Sequence, residues 1–215
     1  MTFSTMLSTM SSGMVKTILI FTLTLVGALP LGMIVALLRK SRFAVVRGII
    51  RVYISIMRGT PLMLQLLVWY FGPYYLFGWN ISGWRFPAII VGFVLNYAAY
   101  FAEIYRGGIE SIPVGQYEAA EVLGYTKAQT FMRIILPQVI KIIMPSVTNE
   151  VITLVKDTSL AFTLAYQEVF SLAKQISASQ TSFMPFLIAG VFYFAANYLV
   201  AFIMEKIEKS MDYYK

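Results

Sequence analysis

The sequence predicts an all-α membrane protein: one domain of five transmembrane helices, N-terminus outside and C-terminus cytoplasmic. Three observations predict it. The 215 residues are 59% hydrophobic and only 13% charged, with a mean hydropathy of +0.73, far more apolar than a soluble domain. Two stretches of 22 residues, Thr17 to Leu38 and Phe183 to Met204, carry no charge at all; each is enough to cross a hydrocarbon core of roughly 30 Å. The basic residues gather at alternate ends of the apolar runs. Of the 17 Lys and Arg, thirteen fall at ends assigned inside, Lys215 among them. Lys16, Arg85 and Lys174 fall outside, and Lys156 lies within a span. That asymmetry sets the orientation.

Composition also excludes several chemistries. The net charge of +7 suggests nucleic acid, but the placement of the basic residues at span ends argues for topology instead. With no Cys and no His, disulfides, thiol catalysis and the usual zinc sites are ruled out. No Gly-Lys dipeptide occurs, so the chain has no Walker A phosphate loop. No cofactor is expected on this chain, and any nucleotide energy has to come from a partner chain.

Residues 1–16 read as a short external tail. The first span, 17–38, contains Pro30, a kink site, and is too long for a signal-peptide core. Arg39, Lys40, Arg42, Arg47 and Arg51 make the next loop cytoplasmic. The second span, 52–72, carries Arg58-Gly59-Thr60-Pro61. Pro61 has no amide hydrogen, so the carbonyl of Met57 loses its helical partner; inside a membrane it needs protein, water or ligand to replace it. An external loop with Trp79 and Trp84 at the interface leads to the third span, 86–105, with Asn96 at mid-span. Glu103 and Arg106 have the spacing of a helical ion pair, and Gly107-Gly108 is expected to break the helix.

Within the cytoplasmic loop 108–137, the stretch from Gln116 to Pro137 is the longest conspicuously polar interlude, and its local grammar is helix, break, helix. Pro113 suits a first helical turn, Gly124 can take the left-handed conformation that closes a helix, and Thr126 with Gln129 has the spacing of a capping box. Glu118-Ala119-Ala120, Gly124 after a three-residue gap, then Ile134, Leu136 and Pro137 resemble the EAA loop of ABC importer permeases. In that family the loop docks into a groove of a separate cytoplasmic ATPase. The resemblance makes Glu118, Ala119, Ala120, Leu123 and Gly124 the ATPase-coupling residues.

The fourth span, 139–165, holds three charges: Glu150, Lys156 and Asp157. Charges in a bilayer are costly and usually line a cavity. Seven residues turn a helix through about 700°, so Glu150 and Asp157 share one face, with Thr153 and Leu154 on or beside it. Lys156 points elsewhere, or loops back if the helix unwinds near Asp157-Thr158-Ser159. The competing reading is an ion pair that holds helices together. Residues 166–182 are polar and external, with a short surface helix suggested by Val169, Leu172, Ala173 and Ile176. The fifth span is 183–204.

The match extends through Arg58 to Gln65, Asn96 to Gly108 and Asn149 to Ser159, and resembles permeases of the polar amino acid uptake family. It implies a type I ABC importer fold in a bacterial cytoplasmic membrane. The implied partners are a second permease subunit, identical or paralogous, two ATPase subunits that bind ATP and magnesium, and an extracytoplasmic substrate-binding protein. It also implies a substrate site at Glu150, Leu154, Lys156, Asp157 and Ser159 with Thr60, Gln65 and Asn96. Tyr97 departs from the family by its bulk. Basic amino acids and cystine are the candidate substrates. A secondary transporter or a structural membrane subunit is the alternative function, and neither would need the EAA loop.

Overall fold

The computed structural model describes residues 2–211; Lys215 lies outside them. Within that range the chain is helical throughout, with no strand. The elements in order are α1 (Phe3–Arg39), α2 (Ala44–Gly59), α3 (Leu62–Phe77), α4 (Arg85–Glu110), α5 (Val114–Val122) and α6 (Lys127–Thr130). A π-helical turn (Phe131–Ile135) then leads into α7 (Leu136–Asp157), a 3-10 helix (Thr158–Leu164), α8 (Val169–Gln180) and α9 (Met184–Ser210).

Helix α1, α4, α9 and the stretch Lys127–Leu164 are each long and apolar enough to cross a membrane. The second expected span differs from expectation. In place of one span over 52–72 there is a pair, α2 and α3, bent by 113° at the break, which gives a fifth crossing if the pair counts as one span. The cause lies at the joint. Thr60 and Pro61 are both extended, as a residue before proline and the proline itself require once the helix is broken. The orphaned Met57 carbonyl is not left bare: it accepts hydrogen bonds from Gln65 Nε2 at 3.0 Å and Asn96 Nδ2 at 2.9 Å.

Three further departures have simple physical origins. The expected tail over 1–16 is helical from Phe3, because Met6 and Met10 are buried against Val169, Ala173 and Ile176 of α8. Helix α4 does not break at Gly107-Gly108; it runs on to Glu110, since Gly108 is where α7 approaches, a Cβ there lying 2.2 Å from Ile143 Cγ2. Glu168, expected on an external surface, is fully buried. It caps α8, its carboxylate accepting from the backbone of Phe170 (2.7 Å) and Ser171 (2.6 Å) and from the Tyr193 hydroxyl (2.9 Å). Burial pushes this carboxyl above the ordinary carboxylate range, against the three hydrogen bonds that favour its charge.

Helix α4 is the hub, packing on α1, α2, α3 and α7. In lipid there is no hydrophobic drive between helices, so small residues that let backbones touch carry the association. Gly32 of α1 is such a point. A Cβ there would meet Phe101 Cβ at 2.8 Å and the Ala98 carbonyl at 3.1 Å. Backbone cannot step aside as a side chain can, so Gly32→Val is expected to destabilise the bundle by about 1–3 kcal/mol. A thermal-unfolding scan of the purified protein checks this, with a clear fall in midpoint expected.

Candidate functional site

A cleft of about 340 Å³ opens where the α2–α3 joint faces α4 and α7. Its volume is at the small end for a small-molecule site. Thr60, Asn96, Tyr97, Tyr100, Glu150, Thr153 and Asp157 supply its polar lining, and Pro61, Leu62 and Leu160 the apolar part. The seven-residue spacing does place Glu150 and Asp157 on one face of α7, about 10 Å apart along the axis.

The two acids differ in what holds them. Asp157 Oδ2 accepts from the Tyr97 hydroxyl at 2.7 Å. Glu150 has no hydrogen bond or ion pair among the described residues. Lys156 is exposed and makes no ion pair with either acid. Helix α7 ends at Asp157 and continues as a 3-10 helix, with Thr158 and Ser159 hydroxyls donating to the carbonyls of Val155 and Lys156.

Of the eight substrate-site residues expected from sequence, Glu150, Asp157, Thr60 and Asn96 line the cleft. Gln65 stands behind it, spent on Met57, Thr60 and Asn96. Leu154 is fully buried in the core, and Lys156 and Ser159 do not line the cleft. Tyr100 and Thr153 were not among the eight. Tyr100 was legible: Asn96, Tyr100 and Glu103, at steps of four and three, form one stripe on α4.

Below the cleft, Glu103 gathers three arginines. Arg106 reaches it at 2.9 Å, Arg39 at 3.1 Å and Arg58 at 3.7 Å. Arg106 also pairs with Glu110.

The polar loop folds as its sequence indicates. Gly124 takes φ +78°, and Tyr125 donates back to the Ala120 carbonyl at 3.0 Å, the six-residue closure that a left-handed residue permits. The capping box at Thr126 and Gln129 is complete. Pro113 stands just before the first helical turn rather than in it. Glu118, Ala119, Leu123 and Gly124 are exposed, while Ala120 is buried. Val122 and Leu123 are 88% and 73% exposed, two apolar side chains at the tip of a loop with no cover in this chain.

A cleft with unmatched acid, a broken helix beside it and a protruding helix–turn–helix is the layout of a transport subunit. The family model described as "Binding-protein-dependent transport system inner membrane component" matches residues 28–213. The chain belongs to this family. The permease is 35% identical over 208 residues to the L-cystine transport system permease protein TcyB of Bacillus subtilis (strain 168), covering 95% of this chain and 87% of that one. It is 36% identical over 200 residues to the arginine transport system permease protein ArtQ of the same organism, covering 93% and 90%. Among solved structures, one titled as the crystal structure of an amino acid ABC transporter with histidines superposes with TM-score 0.87 at 30% identity, over 98% of the permease and 99% of that chain. The MetNI methionine ABC transporter in an inward-facing form superposes at 0.74 with 18% identity, over 98% and 99%, a likeness of fold. The permease therefore has the type I ABC importer fold and is a multi-pass membrane subunit. Subunits of this family are not enzymes: ATP hydrolysis belongs to a separate chain, and ATPase and substrate-binding partners complete the transporter.

Proposed function

We propose that the permease forms the translocation path of an ATP-driven importer for a polar amino acid carrying a cationic group, with basic amino acids and cystine as the class. The observation that carries this reading is Glu150, a carboxylate in a small polar cleft with no cation bonded to it. A half-buried acid of that kind within a membrane span calls for a cationic ligand, and a substrate ammonium supplies one. The transport of L-cystine and arginine by systems containing its relatives supports the class. The contact set is Glu150 and Asp157, with Thr60 and Asn96 beside them; Gln65 and Leu154 act from behind by holding the broken helix and the core. Lys156 and Ser159 take no part in this set.

In the assembled transporter, Glu118 to Gly124 dock on an ATPase dimer that holds ATP and magnesium. A second permease subunit, identical or paralogous, closes the open side of the cleft, and an extracytoplasmic binding protein delivers substrate at the Trp84 end of α4. No cofactor sits on this chain. ATP-dependent uptake of L-arginine or L-cystine by proteoliposomes of the complex tests the function; uptake without the ATPase would leave a secondary transporter instead.

Orientation has its own test. The chain has no cysteine, so single thiols report cleanly. Cysteine at Ser179, on α8, is expected to react with an impermeant reagent added to intact cells. Cysteine at Thr126 is expected to react only after permeabilisation. Reversed labelling would invert the topology.

A further inference from the structure

Three cations face two carboxylates at the inner mouth of the cleft, and they are not held alike. Arg106 makes three contacts to Glu103 with its Nε and Nη2, at 2.9–3.3 Å, and is shared with Glu110. Arg39 sits at 3.1 Å from Oε1. Arg58 stays at 3.7 Å from Oε2, too far to donate, and its side chain is 44% exposed, the most open of the three. Glu103 is thus satisfied without it. The Arg58 guanidinium lies over the ring of Tyr100, 5.3 Å from its centroid, and Tyr100 lines the cleft. The place of Arg58 in the chain fits a moving part, since it sits two residues before the extended Thr60–Pro61 joint.

An amino acid carries a carboxylate as well as an ammonium, and the cleft lining contains two acids and no base. Lys156, the base nearest in sequence, is exposed and does not line the cleft. We propose that Arg58 is the specificity-determining residue that reads the substrate's α-carboxylate, moving across the face of Tyr100 from Glu103 to the ligand while the ammonium sits at Glu150. This rests on the amino acid reading of the cleft. A guanidinium fork matches a carboxylate with two parallel hydrogen bonds, so it distinguishes an amino acid from the corresponding amine. In the resting state Glu103 and the Tyr100 ring park the guanidinium without saturating it.

The test is direct ligand binding to the permease–ATPase complex in nanodiscs, with no binding protein present to impose its own selectivity. The probes are L-arginine and L-cystine, each beside its decarboxylated counterpart, agmatine and cystamine. The native complex is expected to prefer the amino acid by about tenfold to a hundredfold, the worth of a charge-assisted pair. Arg58→Gln is expected to bind the amine as before and the amino acid no better than the amine. Arg58→Lys keeps the charge without the fork and is expected to retain part of the preference, which also guards against a variant that merely misfolds. Glu103→Gln removes the parking partner and is expected to leave the preference intact. A full preference in both Arg58 variants, or its equal loss in Glu103→Gln, would assign Arg58 to holding helices and overturn the inference alone. Binding of neither amino acid by the native complex would overturn the amino acid reading and the inference with it. Loss of amine binding in Glu150→Gln distinguishes the two levels, because it bears on the acid and not on Arg58.

Discussion

Replacing Glu150 with Gln is expected to abolish useful transport while the complex assembles normally. The substitution keeps size and most hydrogen bonding and removes one negative charge. If that charge served an ion pair between helices, its loss would leave a bare cation in the membrane and the subunit would assemble poorly. No such cation is bonded to it: Lys156 is exposed, and Arg58 lies closer to Glu103. The lost interaction is then one with substrate, a charge-assisted hydrogen bond in a half-buried site, worth roughly 1.5–3 kcal/mol or about tenfold to a hundredfold in affinity. Transport kinetics in proteoliposomes would show a raised apparent substrate constant, with ATPase co-purification and the melting profile unchanged. An unchanged substrate constant would remove Glu150 from the site.

The second large effect lies outside the cleft. Gly124→Val is expected to uncouple ATP hydrolysis from transport, with transport falling roughly tenfold or more for a conformational cost of about 1–2 kcal/mol at the turn. Nothing lies within 4 Å of where a Cβ would sit, so the penalty is not a clash; it is the φ of +78° that a β-branched residue resists. The turn fixes how the α5 tip, with Val122 and Leu123, presents itself next to α6. Because the loop tip is exposed, the membrane bundle should melt as before. Asn tolerates left-handed backbone, so Gly124→Asn is expected to transport nearly as well as the native permease. Equal loss in both variants would point away from backbone conformation. Glu118→Lys, at an exposed position, is expected to weaken ATPase docking in a salt-dependent manner.

Local rules made much of this structure legible. The left-handed Gly124 and the capping box at Thr126 and Gln129 each follow from residue chemistry within four positions, and each is present. Pro61 announced an orphaned carbonyl at Met57, but not that Gln65 and Asn96 would serve it. Asn96 is 39 residues away, and nothing local encodes such a contact. Gln65, expected in the substrate site, stands behind the cleft and bonds Met57, Thr60 and Asn96. The first 16 residues read as a tail because Ser and Thr dominate them. Yet several of those hydroxyls bond back to helix carbonyls, as Thr9 does to Thr5 and Ser11 to Leu7, and burial of Met6 and Met10 against α8 holds the turn. Glu168 misleads in the opposite sense: charge suggested exposure, and three donors allow burial.

The glycine contacts around α4 carry a mechanical meaning. Gly32 locks α1 to α4, Gly92 admits Leu66 and Trp69 of α3, and Gly108 admits Ile143 of α7. These members interlock like a truss, because sliding any of them drives atoms into a neighbouring helix. Helix α2 has no such contact: Gly48 and Gly59 have open space around them. Besides the burial of Ile54, it is fastened by polar tethers: Tyr53 to the Leu95 carbonyl, the Met57 carbonyl to Asn96 and Gln65, and the Arg58–Glu103 ion pair. Tethers release one at a time and re-form, whereas interlocked backbones do not. The α2 arm, joined to α3 through the extended Thr60–Pro61 pair, is therefore held by bonds that can exchange, and the helices around α4 by contacts that cannot.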